Sequence, residues 1–330
     1  MSVHRDPIGI IGIGHSTPER RLTNADLERM VDTSDEWIRT RTGIRERRIA
    51  EPGTGTSHWA SRAARDALKS AGKSAEEIDL IVVGTTTPDM PIPSCSCLVQ
   101  ELIGARRAVC FDLAAACAGF LFSLATAEQY LRNGFFKTAL VIGADELSPF
   151  VDWKERSTCV LFGDAAGACV LGAVKGRGII DQDMGSDGQA SRLIMIPSGG
   201  SASPASAQTV ANGGHYLKMN GAEVFKLAVR GMTGSVNKLL ERNNLQAEDI
   251  ACIIPHQANM RIIDAVASRL GVPIDRLFVN LDRYGNTSAA SIAVALSEAS
   301  AAGRIRRGDK VILTTFGAGL VWGSTLLEWE

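Results

Sequence analysis

The chain repeats itself at close to half its length, and that repeat limits the possible folds more than any other feature. The segment Ala75-Glu76-Glu77-Ile78-Asp79-Leu80-Ile81-Val82 returns as Ala247-Glu248-Asp249-Ile250-Ala251-Cys252-Ile253-Ile254, an offset of 247 − 75 = 172. Farther on, Ala139-Leu140-Val141-Ile142-Gly143 has its counterpart in Lys310-Val311-Ile312-Leu313, an offset of 311 − 141 = 170. Between these markers each half carries a small-residue turn and then an Ala-rich helical stretch, Ala114 to Tyr130 in one and Gly285 to Ala302 in the other. Chance matches would not be expected to give offsets within two residues of each other. The pattern therefore predicts two related halves, residues 1–175 and 176–330, joined at a seam near Val174 to Gly178.

Within each half, short apolar β-branched runs alternate with helical patterns. Ile8 to Ile13, Leu80 to Gly84 and Ala139 to Gly143 read as strands, Ser57 to Ser70 and Phe120 to Leu131 as helices. Cys159 to Leu171 reads as a Gly-punctuated strand pair. Buried strands alternating with helices predict an α/β fold whose sheets are covered on both faces. Gly199 to His215, rich in Gly, Ser and Ala and without periodicity, reads as a flexible loop.

Composition narrows the function. With 45% hydrophobic and 22% charged residues the chain is globular, and its 33 glycines against 11 prolines point to close backbone approaches rather than linkers. A formal net charge of −1 excludes nucleic-acid binding by bulk electrostatics. No run of about 18 apolar residues predicts a membrane span. The segment Met1 to Arg21, charged at His4, Arg5 and Asp6, lacks the features of a signal peptide. Seven cysteines, an odd number and mostly in apolar surroundings, predict a reduced, cytoplasmic protein. Cys95-Ser96-Cys97 has neither the spacing nor the histidines of a metal site, so no metal is expected.

Three polar residues stand at positions suited to chemistry. Cys117 follows a strand-like approach through Ala114-Ala115-Ala116 and precedes a helix, where free N–H groups and the macrodipole favour a thiolate. Taken alone, it reads first as a buried structural cysteine. His256, in Pro255-His256-Gln257-Ala258-Asn259, stands at the carboxyl end of the second-repeat strand. Asn286, in Gly285-Asn286-Thr287-Ser288, occupies the turn that the repeat pairs with the Cys117 turn, and the same residues read as a helix N-cap. Phe316-Gly317-Ala318-Gly319 offers Gly-rich backbone at the end of the last strand pattern, where N–H groups can meet a developing oxyanion.

Together these segments closely resemble the β-ketoacyl-acyl carrier protein synthase III family. The matching residues include Thr33-Ser34-Asp35-Glu36-Trp37-Ile38, Arg41-Thr42-Gly43-Ile44-Arg45-Glu46-Arg47, Gly84-Thr85-Thr86-Thr87-Pro88-Asp89 and Ala115-Ala116-Cys117. They continue through Leu161-Phe162-Gly163-Asp164, Pro255-His256-Gln257-Ala258-Asn259, Asp282-Arg283, Gly285-Asn286-Thr287-Ser288 and Trp322-Gly323-Ser324. The resemblance implies a thiolase-like fold, two pseudo-symmetric halves in a five-layer αβαβα sandwich. It also implies a ping-pong Claisen condensation without a cofactor, in which coenzyme A enters only as a substrate thioester. Cys117 would take the acyl group from acyl-CoA, and malonyl-acyl carrier protein would lose CO2 and attack it. His256 and Asn286 would stabilise the enolate, and the backbone N–H groups of Cys117 and Ala318 the oxyanion.

The resemblance further places Trp37 and Arg156 about the adenine of coenzyme A, with Thr33, Arg41, Gly221, Phe225, Ala258 and Asn259 along the rest of its path. Lys226, Arg261 and Arg269 would meet the acidic carrier protein. The Arg39 to Arg48 cluster also reads simply as a solvated helix end. Ile92 stands where relatives reach into the acyl pocket of a homodimer partner, commonly with Phe. Ala118 replaces a common Ser, and Ala318 a Gly. The alternatives are a related Cys-His-Asn enzyme of polyketide or quinolone biosynthesis, a thioester hydrolase, or a catalytically silent paralogue.

Overall fold

The computed structural model describes residues 6–330. The N-terminal reading that rests on His4 and Arg5 therefore lies outside the described residues. The first sheet consists of β1 (Ile8–Ser16), β2 (Leu80–Gly84), β3 (Val109–Leu113), β4 (Ala139–Asp145) and β5 (Ala165–Ala173), in the order β1-β5-β4-β2-β3. The second consists of β6 (Ile179–Ser186), β7 (Cys252–Pro255), β8 (Lys310–Gly317) and β9 (Val321–Glu328), in the order β6-β9-β8-β7. Leu277 adds a single parallel bridge to Ile253, in the place that β3 holds in the first sheet. Strand directions agree as well: β2 runs parallel to β4, and β7 to β8, with antiparallel strands beyond.

Six helices fill three layers: α1 (Thr56–Ala71), α2 (Cys95–Ile103), α3 (Gly119–Arg132), α4 (Gly221–Arg242), α5 (Met260–Leu270) and α6 (Ser291–Ala301). Strand alternation sorts the core. Ile81, Val83, Leu140 and Ile142 face outward onto α1, whose contact stripe is Ala60, Ala63, Ala64 and Ala67, and α2, which adds Cys95 and Val99. Leu80, Val82 and Val141 face inward, onto Phe120 and Leu124 of α3 and Ile292 and Leu296 of α6. The second sheet sends Ile254 and Leu313 to the same central layer. Its Ile312 and Leu326 face outward, onto Val236 and Leu239 of α4 and Ile263 of α5. The result is the expected five-layer αβαβα sandwich. Each buried Leu, Ile or Val contributes roughly 1.5–3 kcal/mol, and alanine-lined helices lie close to the sheet, which accounts for an aromatic-poor core.

Local details follow the repeat. One-turn 3-10 helices at Ala75–Glu77 and Ala247–Asp249 precede β2 and β7. Another pair, Ala116–Ala118 and Ser288–Ala290, precedes α3 and α6. Ala116 and Ser288 both hold left-handed backbone, with φ of 46° and 50°.

Three expectations need correction. Residues 159–171 are not a strand pair: a short helix, Arg156–Cys159, leads into one strand, β5. The fully buried carboxylate of Asp164 bends the chain between them by accepting bonds from Ala50 N–H (2.8 Å), Ser148 N–H (2.9 Å) and Ser148 Oγ (2.6 Å). The segment Gly199 to His215 contains the helix Ala207–Ala211, started by a Ser206–Thr209 capping box. The arginine cluster is only partly a solvated helix end. Arg39 and Arg41 are exposed on Asp35–Thr42, but Arg47 is fully buried, donating to Leu22 O, Asn24 Oδ1 and Val160 O. Among the described residues no helix is long and apolar enough to cross a membrane.

Candidate active site

Cys117, His256 and Asn286 come from three different segments and line one cavity of about 920 Å3. Cys117 sits in the 3-10 turn just before α3. The end of β8 is pressed against it. Thr315 Oγ1 donates to the Cys117 carbonyl at 3.1 Å, and a Cβ built on Gly317 would lie 2.9 Å from Cys117 N and 3.0 Å from Ala118 N. Only glycine fits there. The close approach brings Ala318 to the cavity wall beside the Cys117 backbone.

The sequence expects a thiolate at Cys117, and the structure corrects this for the free pocket. As a residue Cys117 is half-buried because it lines the cavity, yet its sulfur lies deep in the protein. Burial pushes the thiol up to about 12. The Ser288 hydroxyl, 3.4 Å from Sγ, pulls the other way, and the Asp145 carboxylate adds to the upward push. Starting the helix only after Cys117 does not outweigh this desolvation, so the resting sulfur is a thiol.

His256 follows β7, its N–H donating to Thr314 O at 2.8 Å. The ring is buried, with Nδ1 2.6 Å from Ser291 Oγ at the start of α6. Burial lowers its pKa to about 4, so the imidazole is neutral at pH 7. The backbone of Asn286 is clamped, N–H to Leu161 O at 2.8 Å and carbonyl from Gly163 N–H at 3.1 Å. Its Oδ1 accepts from Ser288 N–H at 2.9 Å, which assigns the side-chain NH2 as the donor available to a ligand. The N-cap reading does not hold: neither the 3-10 turn nor α6 has a side-chain cap, and the Asn286–Ser288 bond is a local turn instead. The preceding segment is held by Glu298 of α6, which accepts from Asn280, Arg283 and Tyr284, and by Gln257, whose Oε1 accepts from Asn280 N–H.

Toward the mouth the same cavity is lined by Trp37, Arg41, Gly221, Phe225, Lys226, Ala258, Asn259 and Arg261. Arg156 does not line it but lies over Trp37, 4.8 Å from the ring centroid, with Nη1 donating to Asp32 O at 2.9 Å. Thr33 is likewise outside, its hydroxyl buried and without a hydrogen-bond partner among the described residues. Lys226 pairs with Glu223 at 2.8 Å, and Arg261 lies over Phe225. Arg269 is exposed at the far end of α5. Ile92 is 86% exposed, away from the cavity. Among the described residues no group of His, Cys, Asp or Glu is placed to hold a metal.

Sequence reasoning gave no role to four polar residues of the site and its frame. Ser291, Asp145 and Glu298 carry no motif of their own, and Ser288 entered only as the last residue of Gly285-Asn286-Thr287-Ser288. The one signal was positional: Ser288 and Ala116 are related by the repeat offset, which puts Ser288 in the turn facing Cys117.

A duplicated five-layer α/β sandwich with Cys, His and Asn on one cavity defines a thiolase-fold condensing enzyme. Family models described as 3-oxoacyl-[acyl-carrier-protein (ACP)] synthase III match residues 111–188 and, for its C-terminal part, residues 240–329. The chain belongs to the β-ketoacyl-[acyl-carrier-protein] synthase III family. It is 55% identical over 324 residues to the synthase III of Symbiobacterium thermophilum, covering 98% of each chain. Its fold matches the crystal structure of 3-oxoacyl-[acyl-carrier-protein] synthase III from Aquifex aeolicus with a TM-score of 0.90 and 45% identity, over 98% of this chain and 100% of that one. The priming β-ketosynthase of the R1128 polyketide pathway superposes at a TM-score of 0.92 with 36% identity, over 99% and 98%.

Proposed function

We propose that this enzyme condenses an acyl-CoA primer, acetyl-CoA in the first instance, with malonyl-acyl carrier protein and so initiates fatty-acid synthesis. The observation that carries this reading is the shared cavity, which puts one nucleophile and two neutral hydrogen-bond donors on the same space. Cys117 attacks the acyl-CoA carbonyl, and the resulting oxyanion meets the Cys117 and Ala318 N–H groups. CoA leaves with the proton that Cys117 gives up. Malonyl-acyl carrier protein then loses CO2. The enolate oxygen is held by His256 Nε2–H and the Asn286 NH2, and the enolate carbon displaces Cys117 from the acyl group. A neutral imidazole suits this role in the tautomer whose Nδ1 accepts from Ser291, since that tautomer carries its proton at Nε2 and donates there across the physiological pH range.

The Trp37–Arg156 stack supports adenine binding at the mouth, with Arg41 on the cavity wall beside it as a phosphate contact. Lys226, Arg261 and Arg269 supply the positive charge for the carrier protein, which a molecule of net charge −1 must concentrate locally. A second copy covers Ile92 and Met90, whose exposure (86% and 44%) supports an interface there. Seven free cysteines support a reducing, cytoplasmic setting.

The test is to label the protein with radioactive acyl-CoA, add malonyl-acyl carrier protein, and follow a β-ketoacyl product. Label on Cys117 that chases into product is the expected result. Product formed equally by Cys117→Ser, or label released only as free acid, overturns the reading in favour of a hydrolase.

A further inference from the structure

Ser288 joins two of the three catalytic candidates. Its N–H donates to Asn286 Oδ1 at 2.9 Å, and its hydroxyl donates to Cys117 Sγ at 3.4 Å. Among the described residues no other side chain donates a hydrogen bond to that sulfur. The residue is buried and held at φ 50°, a conformation that a residue with a side chain rarely adopts. Its neighbour fixes it there. Ala289 N–H donates to Asp145 Oδ2 at 3.1 Å, while Asp145 Oδ1 accepts from the N–H groups of Thr86 (2.8 Å) and Thr87 (3.2 Å). Ala116, the matching residue of the first half, holds the same backbone with no hydroxyl. The polar group aimed at the sulfur is therefore an addition by the second half, not a requirement of the turn.

We propose that Ser288 is a further catalytic residue, its hydroxyl hydrogen-bonding the Cys117 sulfur whenever that sulfur carries negative charge. This rests on the condensing-enzyme reading above, in which two steps create that charge. In acylation the sulfur pair forms the S–C bond to the acyl carbon, the C–S bond to CoA breaks, and the Cys117 proton ends on CoA. In condensation the enolate carbon forms the C–C bond, the C–S bond to Cys117 breaks, and the sulfur leaves with the electron pair before taking a proton from water. Ser288 loses no proton in either step. Burial opposes the thiolate and Asp145 opposes it further, and the Ser288 hydroxyl is the largest influence in its favour.

The test starts from a reaction that needs no acyl substrate. Ser288→Gly removes the hydroxyl and suits the left-handed backbone, and Ser288→Ala removes it with a side chain retained. Alkylation by iodoacetamide is followed on the Cys117 peptide by mass spectrometry from pH 7 to 9. Both variants are expected to react about tenfold more slowly at every pH, equivalent to a one-unit rise of the thiol. Acylation by acetyl-CoA should fall by a similar factor. Decarboxylation of malonyl-acyl carrier protein without primer, which reports on the turn carrying Asn286, should fall less than threefold. Alkylation at the native rate, a loss confined to Ser288→Ala, or decarboxylation falling as far as acylation overturns the proposal. Failure of the native enzyme to form a β-ketoacyl product would instead overturn the condensing reading and leave the alkylation result standing.

Discussion

The burial of His256 makes a thermodynamic prediction that can be separated from catalysis. Burial holds its folded pKa at about 4, below the ordinary 6.5 of the unfolded chain. The unfolded state therefore takes up the proton first as pH falls, and the native state loses stability from about pH 6.5 down to about 4. The binding ratio of the two states gives a loss of about 2 kcal/mol at pH 5 and almost none at pH 7.5. His256→Gln removes the titration and keeps a polar side chain near Ser291. Urea unfolding of both proteins at pH 5.0 and 7.5, at one protein concentration, isolates this single group. Other carboxyls raised by burial, such as Glu146, titrate equally in both and cancel. The native protein should lose about 2 kcal/mol more than the variant between these pH values. A difference below about 0.5 kcal/mol would mean that His256 titrates alike in both states, and the neutral-donor role would then lose its physical basis.

Three other perturbations bear on the frame around the site. Gly317→Ala places a methyl against Cys117 N and Ala118 N, so acylation measured with radiolabelled acyl-CoA should fall more than tenfold, with about 1–3 kcal/mol lost in urea unfolding. Arg47→Met leaves Leu22 O, Val160 O and Asn24 Oδ1 without their donor, at a cost of about 3 kcal/mol seen as a lower urea midpoint. Glu298→Gln weakens the hold on Asn280, Arg283 and Tyr284, just ahead of Asn286. Malonyl-acyl carrier protein decarboxylation should then slow about tenfold while Cys117 acylation, measured separately, slows much less.

Much of this was legible in the sequence, for identifiable reasons. The strand Leu80–Gly84 and the helices around 57–70 and 120–131 stand where hydrophobic pattern puts them, because a sheet buried on both faces admits only apolar runs. That Cys117, His256 and Asn286 share one cavity was readable because each ends a strand or turn of the repeat, and strand ends converge there. The failures share a different cause. Arg47 looked like solvated charge, and its three acceptors come from residues up to 113 positions away. Cys117 looked like a thiolate because helix position is local and readable, while desolvation depends on everything packed around the sulfur. Asp164 broke a predicted strand through partners at Ala50 and Ser148, one of them 114 residues distant. Patterns read along the chain find the scaffold, but long-range polar contacts decide the protonation state and the turns.

Those long-range contacts also show how two copies of one turn came to do different work. Cys117 and Ala289 occupy equivalent places in the two halves, each following a left-handed residue and each leading into a central helix. The position over the Cys117 N–H is Gly317, and its equivalent in the first half is Asp145, because Leu80 pairs with Ala139 where Cys252 pairs with Val311, an offset of 311 − 139 = 172 rather than the 170 read from the sequence; the Asp145 carboxylate accepts the N–H of Ala289. A carboxylate in place of Gly317 would crowd the Cys117 backbone and bring negative charge to where the proposed oxyanion would form. A glycine in place of Asp145 would leave the buried Ala289 N–H unpaired, a loss of about 1–3 kcal/mol. The two halves therefore have opposite requirements at equivalent positions. One copy closes its N–H within the protein and so fixes Ser288 and Asn286. The other keeps its N–H beside the cavity, and the asymmetry makes a single reaction centre out of a duplicated fold.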